Sequence, residues 1–322
     1  MYQLVRKDAT VQGMVCVVVA MLVNSLQDLI MKWISGAYPL YEIMLVRSIV
    51  ATVVTLAILR FDGGLGALRT RRPGLHLIRG LLLTVANTAY FTSLAALPLA
   101  ETTAIFFVAP LIITALSVPF LGEKVGMRRW FAVLAGLAGV IVMLRPGSSA
   151  FEPAALLPAL AALCYALMQM ITRRLGATDR ASTMAFYIHI MFIANGLIAW
   201  IGFGDGRFAT GAHPSAEFLL RAWVWPNAQD AMLMLACGVI VGLAAFLLSQ
   251  AYRIAEATLV APFEYVALPL SVMWGMLIWG DRPDLTAVGG IALIVGSGLF
   301  VYWRETARGR PVAASTPMPP QG

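Results

Sequence analysis

Charge is scarce in this sequence. Asp, Glu, Lys and Arg together make up 12% of its 322 residues, about half the share of a water-soluble domain. A chain so poor in charge cannot clothe a globular surface, and with 60% hydrophobic residues its solvent is lipid. Cysteine is thin as well. Cys16, Cys164 and Cys237 stand singly inside apolar runs, without metal spacing and without the density of a disulfide framework. His76, His189 and His213 are the only histidines, far apart in sequence, and no H-E-x-x-H pair occurs. No G-x-x-x-x-G-K-[ST] loop is present, which removes the usual ATP-driven motor. No Ser–His or paired-Asp constellation stands out in adjacent spans, so the reading is a protein that is not an enzyme and holds no metal or cofactor.

What is present is a series of long apolar runs. A membrane span needs about 20 mostly apolar residues. That criterion predicts ten helices, at 11–33, 40–60, 75–97, 100–120, 126–145, 153–174, 184–203, 230–253, 257–279 and 284–303. Arg6 and Lys7 ahead of the first run look superficially like a signal peptide. That run is about 20 residues long, carries Asp28 and has no small-residue cleavage site, so it reads as a retained span. The stretch 204–229 is long for a connection, and its "EFLLRAWVWP" predicts a short interfacial helix with Trp223 and Trp225 at headgroup depth.

The few charges are sorted. With the N-terminus inside, sixteen Lys and Arg fall in cytoplasmic segments and five in outer ones, while Arg47 and Arg79 lie within spans. This bias predicts both termini in the cytoplasm and a multi-pass protein of the cytoplasmic (inner) membrane. It also accounts for the net charge of +7 without nucleic acid as a partner.

The chain repeats itself. "FFVAPLIITALSVPFLGEK" (106–124) resembles "FEYVALPLSVMWGMLIWGDR" (263–282), and a shift of 159 puts Pro110 on Pro269 and "GVIVMLR" (139–145) on "GLFVYWR" (298–304). Five spans per copy is an odd number, so the second copy must enter the membrane inverted. Inverted repeats are a signature of secondary transporters, with the substrate site at the repeat interface. The predicted organisation is a cytoplasmic segment 1–10, a first repeat 11–145, a second, inverted repeat 153–303, and a disordered cytoplasmic tail 304–322.

"ALPLAETTAIFFVAPLIITALSVPFLGEKVG" (96–126), "EATLVAPFEYVALPLSVMWGMLIWGD" (256–281), and "DLIMKW" followed by "YEIMLVRS" carry a family resemblance. The chain resembles an EamA-type transporter of the drug/metabolite transporter superfamily over roughly residues 10 to 303. The resemblance implies an all-α membrane protein of ten transmembrane helices in two inverted five-helix repeats. It also implies alternating access to a central cavity for a small organic metabolite. The charged residues of the first two spans resemble those of riboflavin and S-adenosylmethionine importers.

The polar residues inside the spans are the candidate site. By helical rise Asp28 lies roughly 8 Å below the outer surface and Arg47 roughly 10 Å deep. A lone charge in a bilayer is costly, so the two are expected to form an ion pair, either lining the cavity or locking two helices. Lys32, close to the surface, is expected to snorkel. Asn24, one turn below Asp28, extends its stripe. Span three adds Asn87 and Tyr90, and span four adds Phe106 and Phe107 as aromatic wall or apolar core. Span six adds Tyr165 and Gln169, and span nine adds Glu264 and Tyr265 between Pro262 and Pro269. Each amide or hydroxyl alone could be interhelical glue; together with the aromatics they suit an organic metabolite better than a bare ion. Asp28, Glu264 and His189 are the candidates for proton coupling. Glu101 and Glu256 at span starts read as helix caps. Gly136, Gly139, Gly289, Gly290, Gly296 and Gly298 predict close packing of spans five and ten, the candidate homodimer face.

The favoured function is non-ATP-driven carriage of a vitamin-, nucleoside- or S-adenosylmethionine-like compound. An amino-acid or drug exporter of the same fold is the alternative. An intramembrane enzyme or a channel is the remaining one.

Overall fold

The computed structural model describes residues 2–61, 64–121, 126–145, 152–175, 178–209, 211, 213–254 and 261–307. Among them there are helices and turns and no strand. Six segments are long and apolar enough to cross a bilayer: Val11–Ile34, Leu40–Phe61, Leu99–Leu116, Pro153–Thr172, Ala181–Phe203 and Ala228–Ala251. Trp130–Leu144, Phe263–Trp279 and Leu285–Phe300 are shorter apolar helices. Large apolar side chains such as Ile201 (78% exposed) and Leu285 (91%) face outward. Lipid tolerates such a surface and water does not.

The helices are α1 (Tyr2–Ile34), α2 (Leu40–Phe61), α3 (Pro73–Leu94), α4 (Leu99–Phe106), α5 (Ala109–Leu121) and α6 (Met127–Leu144). After a single 3-10 turn come α7 (Leu156–Leu175), α8 (Ala181–Phe203), α9 (Pro214–Leu220) and α10 (Ala228–Ile254). A 3-10 stretch, Ala261–Val266, leads into α11 (Ala267–Trp274) and a π turn (Gly275–Trp279), and α12 (Leu285–Ala307) ends the described chain. The tail beyond Ala307 and Glu256 lie outside the described residues.

Two of the expected spans are broken. Pro110 has no N–H to give, so α4 stops at Phe106, Phe107 and Val108 bridge the gap, and α5 starts at Ala109. In the second break Pro269 falls in the first turn of α11, where no N–H is needed, and the residues before it tighten into the 3-10 stretch. Glu101 sits in the first turn of α4, where its charge favours the helix N-terminus, but the N-cap is Pro98 and no side chain caps the helix, so Glu101 is not the cap expected of it.

Packing follows a regular scheme. α1 lies on α10, α3 on α7, α2 on α8, α4 on α11, and α6 on α12. Gly139 and Gly290 make the last pair possible: a Cβ on Gly139 would stand 2.9 Å from the Gly290 carbonyl oxygen. Gly289 and Gly296 meet nothing within 4 Å, so the glycine face expected of span ten is only partly a packing face.

The long connection does hold a short helix, but Trp223 and Trp225 follow α9 instead of lying on it. Trp223 packs edge-on to Trp200 and beside Tyr41, while Trp225 is 84% exposed. Phe218 is the buried anchor of α9.

Polar ties close both ends of the bundle. At the end carrying the α1–α2 turn, Arg221 donates to the Gly36 carbonyl (2.6 Å) and Tyr41 to the Arg221 carbonyl (3.0 Å). At the other end the Asp179 carboxylate meets His76 at 2.6 Å and accepts from Thr70 at 2.7 Å. Burial alone would raise the Asp179 pKa, but these hydrogen bonds hold it below the usual carboxylate range. Thr183 and Tyr187 donate to the Ala67 and Leu68 carbonyls beside it.

Candidate functional site

The helices line a cavity of about 230 Å³. Nine of the ten candidate binding residues line it: Asn24 and Asp28 from α1, Arg47 from α2, Asn87 and Tyr90 from α3, Phe107 at the α4–α5 break, Tyr165 and Gln169 from α7, and Glu264 from the 3-10 stretch. His189 on α8 lines it too. Tyr265 does not. Its ring lies 5.4 Å from that of Phe107, in the space left by the missing side chain of Gly298, so it is a packing residue.

The α1 stripe works by simple periodicity. Asn24 and Asp28 are four residues apart and share a face, and α3 presents Asn87, Tyr90 and Phe91 in the same way. The expected ion pair between Asp28 and Arg47 does not form. Asp28 accepts from the Tyr90 hydroxyl at 3.0 Å, and Arg47 Nη2 donates to Asn87 Oδ1 at 2.9 Å. Depth along the axis put the two charges at one level, but rotation about each helix gave them different partners. Lys32 does not snorkel either. It donates to the carbonyls of Leu97 (2.6 Å) and Leu94 (3.2 Å), which lack acceptor duty at the end of α3.

Aromatic rings form one wall. Phe106 lies edge-on to Tyr90 (5.2 Å) and to Phe107 (6.0 Å), and 5.3 Å from Tyr165. Phe106 and Tyr165 also pack against both hydrophobic clusters of the molecule, so this wall is anchored on two sides. The amides of Gln27, Asn24, Asn87 and Gln169 line the same cavity. Gln169 donates to the Tyr165 hydroxyl at 2.7 Å. Glu264 is 4% exposed, held at the cavity by a turn that an uninterrupted helix would not make. A pocket lined by flat rings, amides and both signs of charge suits a planar, polar-edged organic molecule.

Several lining residues were missed by sequence reasoning. Arg79 is 3% exposed, donating to Thr172 Oγ1 (2.7 Å) and the Met184 carbonyl (2.9 Å). The signal was available, since an intramembrane arginine always needs a reason. Phe192 and Thr103 carry no such signal, because apolar and hydroxyl side chains inside a span look alike wherever they point.

Comparison with known proteins places this geometry. A model of the EamA-like transporter family matches residues 11–145. A riboflavin transporter of Vibrio cholerae is 32% identical over 84% of this chain and 86% of its own length. A riboflavin transporter of Rhizobium johnstonii is 31% identical over 95% and 96%. An S-adenosylmethionine uptake transporter of Rickettsia prowazekii is 26% identical over 91% and 93%. A solved crystal structure superposes with a TM-score of 0.63 at 22% identity, covering 94% of this chain and 99% of the other, which establishes a shared fold.

Proposed function

This chain belongs to the EamA-like transporter family, and from that premise we propose that it carries a flat heteroaromatic metabolite of the riboflavin type across the cytoplasmic membrane, by alternating access and without ATP. The observation that carries the reading is that the packed rings of Tyr90, Phe106, Phe107 and Tyr165 and four side-chain amides line one cavity. An isoalloxazine ring is planar and needs stacking surfaces on its faces, and hydrogen bonds at its edge. At about 230 Å³ the cavity is smaller than the ~300–1,000 Å³ of most ligand pockets.

The architecture proposed for this work is ten membrane passes in two inverted repeats. The six long spans and three shorter apolar helices leave α3 as the tenth, which carries His76, Arg79 and Asn87 among mostly apolar residues. Exchange of the two halves turns the α1–α10 pair into the α7–α3 pair and returns α2–α8, α4–α11 and α6–α12 to themselves. The two breaks also correspond, since Phe107 and Val266 are 159 residues apart, the repeat shift. The sixteen-to-five bias of basic residues supports cytoplasmic termini. A C-terminal reporter that is active only in the cytoplasm is expected to be active; one active only outside would reverse the orientation.

A second reading, a carrier of S-adenosylmethionine type, is favoured by Asp28 and Arg47 in one cavity, since that substrate bears both signs of charge. Purified protein in liposomes decides between them. Riboflavin is expected to enter the vesicles and to lose fluorescence on binding, as a flavin does when stacked on tyrosine. Uptake of S-adenosylmethionine with no flavin uptake would install the second reading, and uptake of neither would sink both.

A further inference from the structure

Arg47 is a poorly satisfied charged group of the site. It is 1% exposed, and of its three nitrogens only Nη2 has a partner, Asn87. Nε and Nη1 are buried without one. Its plane is held by the rings of Phe91 and Phe192, whose centroids lie 4.8 and 5.8 Å from the guanidinium carbon. Beside it His189 is fully buried, with neither ring nitrogen hydrogen-bonded. All five side chains line the cavity. Arg79 is the internal control. It is buried as deeply in the same cavity, but its donors are spent on Thr172 and Met184, as in a helix lock. Buried donors of a fixed charge are expensive to leave unpaired. The nearby carboxylate of Asp28 is engaged by Tyr90.

Arg47 thus presents donors, and a neutral His189 presents one donor and one acceptor. We propose that this corner docks the imide edge of the transported molecule, with Arg47 donating to a ring carbonyl and His189 accepting from the adjacent imide N–H. A carboxylate could take the arginine donors and the histidine N–H as well, so the choice of an imide follows from the flavin-type ring. The inference rests on the flavin-type reading above and names the edge of the ring that reading leaves open.

The test uses full-length protein in detergent, with riboflavin and N3-methylriboflavin as probes, titrated by flavin fluorescence. Wild type is expected to bind riboflavin at least about tenfold more tightly than the N3-methyl compound, the worth of one hydrogen bond to a charged or buried partner. Arg47→Gln is expected to lose at least about tenfold for riboflavin and most of the preference. Its ligand-free melting temperature should be no lower than that of wild type, because a buried unpaired charge has been removed. Arg47→Lys, which keeps the charge without the fork, should lose affinity in the same way and serves if the glutamine variant does not fold. Unchanged affinity in both variants, or no preference in wild type, overturns the docking role. So does a lower melting temperature with equal loss for both probes, which marks a structural arginine. Wild type that ignores flavins but binds uridine with dependence on Arg47 keeps the imide corner and removes the vitamin. Binding of S-adenosylmethionine alone, dependent on Arg47, replaces the imide with a carboxylate and overturns the inference as stated.

Discussion

Tyr90 shows how one side chain serves both packing and polarity. Its ring is edge-on to Phe91 and Phe106 while its hydroxyl donates to Asp28 and lies 3.2 Å from Thr103 Oγ1. It therefore ties α1 to α3 and α3 to α4 at the point where the fourth span breaks. Tyr90→Phe keeps the rings and removes both contacts, leaving Asp28 without its donor. The expected cost is about 1–3 kcal/mol, read by chemical unfolding in detergent; an unchanged unfolding midpoint would mean that the Asp28 bond contributes nothing. That Asp28 and Arg47 would need partners inside the bundle was legible from charges in apolar runs. That Tyr90 and Asn87 would be their partners was not, because the direction in which a residue points around its helix is set by the neighbours it packs on.

Whole helices are shaped here by proline and glycine. Pro110 ends α4, and the prolines around Glu264 put that carboxylate on a 3-10 turn at the cavity wall. Both breaks could be foreseen from composition, since proline acts locally. Glycine is different. Gly139 and Gly290 carry the α6–α12 contact, and Gly289, next in sequence to Gly290, faces open space. Gly139→Leu is expected to force the two helices apart and to lower the melting temperature sharply, whereas Gly289→Leu should leave it unchanged. Equal melting of both variants would place the contact elsewhere. Gly289 and Gly296 are also what remains of the proposed homodimer face, the inner glycines being spent within the chain.

On the scale of the molecule, the ties at the two ends join the first half of the chain to the second. His76 and Thr70 hold Asp179 at one end, and Arg221 and Tyr41 lock the other. Alternating access requires one set to open while the other holds, so these ties are where a carrier of this build would be gated. They come from loops (Thr70, Asp179, Arg221) and from the first turns of helices (Tyr41, His76), where polar residues look the same whether they meet a partner or water, and nothing in the sequence singled them out.

The solvent, the helical class, the positions of the spans and the stripe of polar residues along α1, α3 and α7 were determined by the sequence alone. Each depends on composition or periodicity over a few turns, and lipid admits few other structures for such runs. Only the tertiary structure decided that Asp28 pairs with Tyr90 and Arg47 with Asn87, that Arg79 is spent and Arg47 is not, and that Tyr265 turns away from the cavity. Those outcomes depend on the rotation and contact of helices far apart in the chain. The energy of a buried polar group is set by whichever partner that packing brings within reach.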